Sequence, residues 1–367
     1  MKIGMFTDPH IGLKRLSGTT SATQDRLKEL LYTKATQAAS TLWGLNVDYV
    51  ACLGDLFDKF SNSEKEITQG FNLVGNVSFV LAGNHDISNQ KTKVGSLQLI
   101  AEVGMPGPFA DMCISPDPSK PFFYELVPKM VYAVPHCLSG EIFEESLREV
   151  MKAASSNVGE NYLFLHCNVG TGFGESKSSH ELWLSPEMAL ELSKIFTRVI
   201  VGHEHEPTYY KVKSKSSASF EVCDLAEASV VILGNTYPLS FGEVSNRYVY
   251  VLDTFTGVIE RHLSVDAKEV LTIIDAGEVT AGTAKSETPY AKITGLVPYK
   301  DSAKFNSNLY NLFANSPDIL MIGKYYEEEG KGLERIKATG LRPIQEIIEE
   351  AAKKEGFLDI LKEIQNA

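Results

Sequence analysis

The sequence predicts a mixed α/β (α+β) protein with two β-sheets and helices outside them. A small α/β domain and a C-terminal helical segment follow. Three observations lead there. Five short apolar runs each stop at Gly, Asp, Asn or His instead of continuing as helices. Between the first two runs, apolar residues recur at helical spacing. Beyond residue 257 the pattern changes to shorter strand-like runs, one helix and a charged stretch.

The five runs are residues 2–7, 49–53, 77–81, 162–165 and 199–201. Short runs rich in β-branched and aromatic residues, closed by Gly or polar residues, read as buried strands. Leu27, Leu30, Leu31, Ala35, Ala38, Ala39 and Leu42 place a helix over 22–43, with Ser21 or Thr23 as its cap. Residues 2–54 then form a strand–helix–strand crossover. A weaker helix is expected over 63–74, and Pro186 opens another over 186–196, at a position where proline is favoured. Alternation over 122–134 and the run 230–234 supply further strands.

In residues 258–325 the strand-like runs are 270–274, 291–293 and 319–322, with a helix near 301–314. Residues 326–342 are charged, contain Gly and read as a linker. Helical periodicity returns in 343–367. Ile344, Ile347, Ile348 and Ala351 share one face; after Gly356, Phe357, Leu358, Leu361 and Ile364 share another. The expected division is 1–257, 258–325, 326–342 and 343–367.

The chain has 367 residues, 43% of them hydrophobic, which suits one large and one smaller globular domain. No apolar run approaches the ~20 residues of a membrane span. Met1 leads into the first strand at once, so a cleaved signal peptide is not expected. The five cysteines stand singly and include no C-x-x-C pair, which fits a reducing, cytoplasmic setting. Cys52 and Cys167 read as small buried hydrophobes. The net charge of −12 is the opposite of the usual nucleic-acid footprint. Lys14, Arg15, Lys91, Lys93, Lys211, Lys213 and Lys215 are nevertheless near the strand ends in sequence.

Metal-ligand residues follow the apolar runs. They stand in Asp8-Pro9-His10, Gly54-Asp55-Leu56-Phe57-Asp58, Gly83-Asn84-His85-Asp86, Leu165-His166-Cys167 and Gly202-His203-Glu204-His205. Oxygen ligands suit hard dications and imidazole suits first-row transition metals. Ligand sites in layered α/β folds gather beyond the carboxyl ends of strands. Such a set, split over five strand ends, is what a two-metal hydrolytic site needs. Asp55 is the best candidate for a bridging carboxylate. His85 adjoins a ligand and points elsewhere, so it is assigned to catalysis as a proton donor to a leaving oxygen. Asp86 either orients His85 or serves the backbone turn. Glu204 is expected to face away from the metals. His136, His180 and His262 match no motif.

The order D-x-H, GD-x-x-D, GNHD, H, GHxH over residues 1 to about 205 resembles the calcineurin-like metallophosphoesterase superfamily. The segment from Gly234-Asn235-Thr236-Tyr237-Pro238 through Glu243 to Arg247–Asp253 resembles SbcD-type nucleases, relatives of the meiotic-recombination-eleven nuclease. The resemblance implies the four-layer metallophosphoesterase fold. It implies one metal site of Asp8, His10, His205 and Asp55, and another of Asn84, His166, His203 and Asp55. His85 would be catalytic. The cofactors would be two divalent ions, manganese first, with magnesium, iron or zinc as alternatives. The activity implied is exonuclease on duplex DNA ends and endonuclease on single strands. Implied partners are DNA, an SbcC-type coiled-coil ATPase and a second copy of the chain, with no membrane. Residues 258–325 would be a capping domain. Asp58 stands where some relatives carry a second histidine; it is placed with the catalytic residues, with loop capping as the alternative.

Overall fold

A computed structural model describes residues 1–15, 19–87, 94–103, 111–157, 159–170, 181–214 and 217–328. The chain divides into two compact units, Met1–Leu271 and one beginning at Thr272.

The first unit opens with β1 (Lys2–Phe6), α1 (Ser21–Gly44), β2 (Tyr49–Cys52), α2 (Glu64–Val74), β3 (Phe79–Leu81), α3 (Ser96–Val103) and β4 (Asp111–Cys113). Next come β5 (Tyr124–Val127), β6 (Val131–Val134), α4 (Gly140–Ala154), β7 (Tyr162–His166), β8 (Asn168–Val169) and β9 (Trp183–Leu184). It closes with α5 (Pro186–Leu192), β10 (Arg198–Gly202), β11 (Thr208–Ser214), β12 (Ala218–Val222), β13 (Val230–Ile232), β14 (Arg247–Asp253) and β15 (Ile259–Val265).

One sheet has the order β15-β14-β1-β2-β3-β4 and the other β12-β11-β13-β10-β7-β6-β5. The strands that lead into the motifs run parallel to their neighbours: β1 with β2, β2 with β3, and β7 with β10. Their carboxyl ends therefore open on one side of each sheet.

Both faces of these strands are buried, and period-2 alternation sorts them. Ile3, Met5, Tyr162, Phe164 and Ile200 lie in the core between the sheets. Phe6, Val50 and Cys52 pack instead with Ala35, Ala38 and Leu42 of α1. Leu163, Leu165, Val199 and Val201 pack with Leu147 of α4 and Leu192 of α5. Three cores separate four layers: helices, sheet, sheet, helices.

The expected helix over 22–43 is present, but its cap is Thr20. Thr20 accepts from the Thr23 backbone N–H, and the Thr23 hydroxyl accepts in return from the Thr20 N–H. Ser21 and Thr23 thus sit inside the first turn. The helix opened by Pro186 ends at Leu192, short of the expected 196, with Ser185 as its cap.

The first unit runs past the expected boundary at 257, because β15 pairs antiparallel with β14. The second unit contains β16 (Leu271–Asp275), α6 (Ala276–Ala281), β17 (Tyr290–Val297), α7 (Ser302–Asn315) and β18 (Met321–Glu328). Its sheet has the order β16-β17-β18. Ile274, Ile293 and Ile322 from the sheet pack with Val279 of α6 and Phe305 and Leu309 of α7. β18 continues to Glu328, so residues 326–328 extend the sheet and do not belong to a linker. The helical segment expected at 343–367 lies outside the described residues, as do Lys91, Lys93, His180 and Lys215.

Candidate metal centre

Five loops leaving β1, β2, β3, β7 and β10 converge. The Asp8 N–H donates to Gly54 O at 3.1 Å, and the His10 N–H to Asp55 O at 3.1 Å, which ties the first loop to the second. In the register of β7 and β10, Gly202 stands opposite His166. Asp8, His10, Asp55 and His203 all adopt positive φ, at 53°, 44°, 48° and 90°. Such backbone costs of order 1–3 kcal/mol per residue and gathers where function over-determines the chain. The two loop glycines explain the tightness. A Cβ on Gly54, at φ 108°, would overlap the His166 imidazole, and one on Gly83 would run into Asp55.

Two groups of donor atoms result. Asp8, His10 and His205 form one, and Asp55, His166 and His203 the other. Asn84 joins the second: its Oδ1 lies 3.2 Å from His166 Nε2 and 2.9 Å from His203 Nδ1. Asp55 faces both, since its Oδ2 is 3.3 Å from His166 Nε2 and 3.8 Å from His10 Nε2. All seven expected ligands thus meet in one place.

These atoms fit divalent ions. Asp8 Oδ1 is buried without a hydrogen-bond partner. His10 Nε2 and His205 Nε2 face each other at 3.2 Å, although at most one of two neutral imidazoles can donate there. His166 presents Nε2 because its Nδ1 donates to Leu53 O at 2.8 Å. Burial opposes charge on Asp55, yet His166, His10 and His85 hold its carboxyl well below the usual range. Burial likewise works against charged His166, but Asp55 and Asp8 push it up to about 9. Burial and the neighbouring His166 push His203 down to about 4.

A third group, His10, Asp58 and His85, shares His10 with the first. His85 Nδ1 is hydrogen-bonded to the Asp58 backbone carbonyl. The bond places the proton on Nδ1 and leaves Nε2 for another partner. The Asp58 carboxylate stands 3.6 Å from His10 Nδ1. Asp58 therefore touches both histidines, His85 through its carbonyl and His10 through its carboxylate.

Asp86 serves the backbone turn, one of the two roles expected for it. Its carboxylate accepts from the backbone N–H groups of Leu56, Phe57 and Gly83 at 3.2, 3.0 and 3.0 Å. Burial and the Asp55 charge push its carboxyl up to about 6. It joins the second and third loops and is fully buried.

Glu204 turns away from the donors, as expected, and accepts from the Val169 N–H at 2.6 Å. Cys52 and Cys167 are buried, and burial pushes both thiols up. Glu243 received no role from the sequence, yet its Oε1 lies 3.3 Å from His205 Nδ1. An acidic residue in the loop after β13 was visible, but no spacing rule links it to a histidine 38 positions away.

A family model described as calcineurin-like phosphoesterase matches residues 1–207. The chain belongs to this family. A comparison with curated protein sequences finds no match. Among solved structures, the chain is similar to a Thermus thermophilus protein at 10% identity and TM-score 0.41, covering 72% of this chain and 98% of that one. A dimetal phosphatase from Danio rerio is 12% identical with TM-score 0.43, over 72% and 96% of the two chains. A metallophosphoesterase from Sphaerobacter thermophilus is 14% identical with TM-score 0.31, over 72% and 88%.

The family makes the chain a metal-dependent hydrolase of the phosphoesterase type. When bound, two divalent ions supply charge stabilisation at a phosphoryl group and a nucleophile from water. The donors named above would hold them.

Proposed function

We propose that the chain is the nuclease subunit of a DNA-processing complex that acts in double-strand-break processing, recombination or replication. It hydrolyses phosphodiester bonds with manganese, as an exonuclease on duplex ends and an endonuclease on single strands. The observation that carries this reading is the part the Gly234–Asp253 segment plays at the centre. That stretch resembles SbcD-type nucleases, and it supplies Glu243 to His205 and the buried Arg247 to Glu243. The net charge of −12 accords with a partner that contributes much of the DNA affinity. The proposed partners are a coiled-coil ATPase, docked through residues 343–367, and a second copy of the chain, all in the cytoplasm. No helix among the described residues is long and apolar enough to cross a membrane.

The test is incubation of the full chain with linear duplex DNA, plasmid or a chromogenic phosphodiester, with Mn²⁺ or with EDTA. Degradation of linear DNA with Mn²⁺ and its arrest by EDTA are expected. Hydrolysis of the chromogenic ester alone would favour a small-phosphodiester enzyme. Inertness toward all three would favour an assembly subunit that keeps the fold without catalysis.

A further inference from the structure

We propose that Glu243 is a positioning residue that makes the Asp8/His10/His205 ion position the tighter of the two. The proposal rests on the two-metal reading of the centre. Glu243 Oε1 faces His205 Nδ1 at 3.3 Å. Its other oxygen is fixed by three donors: Asn235 Nδ2 at 2.7 Å, the Leu239 N–H at 2.9 Å and Arg247 Nη2 at 3.2 Å. Arg247 is fully buried and also pairs with Glu206 at 3.2 Å. The carboxylate is thus clamped from behind and cannot swing away.

A carboxylate at the outer nitrogen keeps the proton there, turns the ring, and makes the inner nitrogen a stronger donor. Here the inner nitrogen is Nε2, which faces His10 Nε2 at 3.2 Å. The opposite ion position is built differently. His166 rests its Nδ1 on a neutral backbone carbonyl, Leu53 O at 2.8 Å. Asn84 offers an uncharged amide oxygen where the first position has the Asp8 carboxylate. With Asp55 facing both, the first position has the more negative and more basic donor set.

The test is equilibrium dialysis of the full chain against Mn²⁺ with the bound metal counted. The parent should fill in two steps. Glu243→Gln should weaken the tight step roughly 10–100-fold and leave the other unchanged, while the metal-free protein melts lower because the buried Arg247 loses a charged partner. Asn84→Ala should do the reverse, keeping the tight step and losing the weak one. Should Glu243→Gln fail to fold, Glu243→Asp keeps the charge beside Arg247 while retreating from His205, and the same selective loss is expected. Two ions in the parent with both steps unmoved, or equally weakened, by Glu243→Gln would overturn the role of Glu243 alone. Fewer than two ions in the saturated parent would overturn the two-metal reading, and the proposal with it.

Discussion

Replacing Asp55 by alanine is expected to empty both ion positions and reduce phosphoester hydrolysis about a thousandfold or more, the scale of losing a principal electrostatic group. Asp55 is the only carboxylate whose oxygen faces both donor groups, at 3.3 Å from His166 Nε2 and 3.8 Å from His10 Nε2 among the described residues. The fold should survive. Asp55 is not part of the three apolar cores, and the one backbone N–H its carboxylate satisfies, that of His85 at 2.9 Å, costs about 1–3 kcal/mol if left unpaired. That is less than the ~5–15 kcal/mol by which domains are usually stable. Elemental analysis of the folded variant checks this; two tightly held ions would remove Asp55 from the bridging position.

His85→Ala should separate binding from chemistry. The His85 backbone N–H serves Asp55 and survives the substitution, while the imidazole, held through Nδ1 by the Asp58 carbonyl, is lost. Two ions should remain bound and turnover should fall roughly 10²–10⁴-fold, the range of a positioned acid. The deficit should be smallest for substrates whose leaving group needs no proton. Unchanged turnover with Mn²⁺ would end the acid role. A variant short of one ion would make His85 a ligand, through its grouping with His10 and Asp58.

The parts of the fold legible in the sequence were those written locally. Strand runs with both faces apolar, such as Tyr162–His166, and the α1 stripe from Leu27 to Leu42 carry their own periodicity. The ligand set was legible because each residue ends such a run or follows it within a few positions. What escaped was set by contacts between distant segments. β15 joins the first sheet by pairing with β14, which its own residues do not announce. Asp86 sits in a motif full of chemistry, yet its carboxylate is occupied by three backbone N–H groups from two loops. Asp58 acts on two histidines at once, one through its carbonyl and the other through its carboxylate. Thr20, one residue before Ser21, the nearer expected cap, closes the α1 capping box because the helix begins at Ser21, well before its apolar stripe opens at Leu27.

The most direct measurement is anomalous diffraction from crystals of the protein soaked in Mn²⁺. Two peaks are expected, one among Asp8, His10 and His205 and one among Asn84, His166 and His203, with Asp55 between them. A single peak, or one among His10, Asp58 and His85, would contradict the two-metal reading.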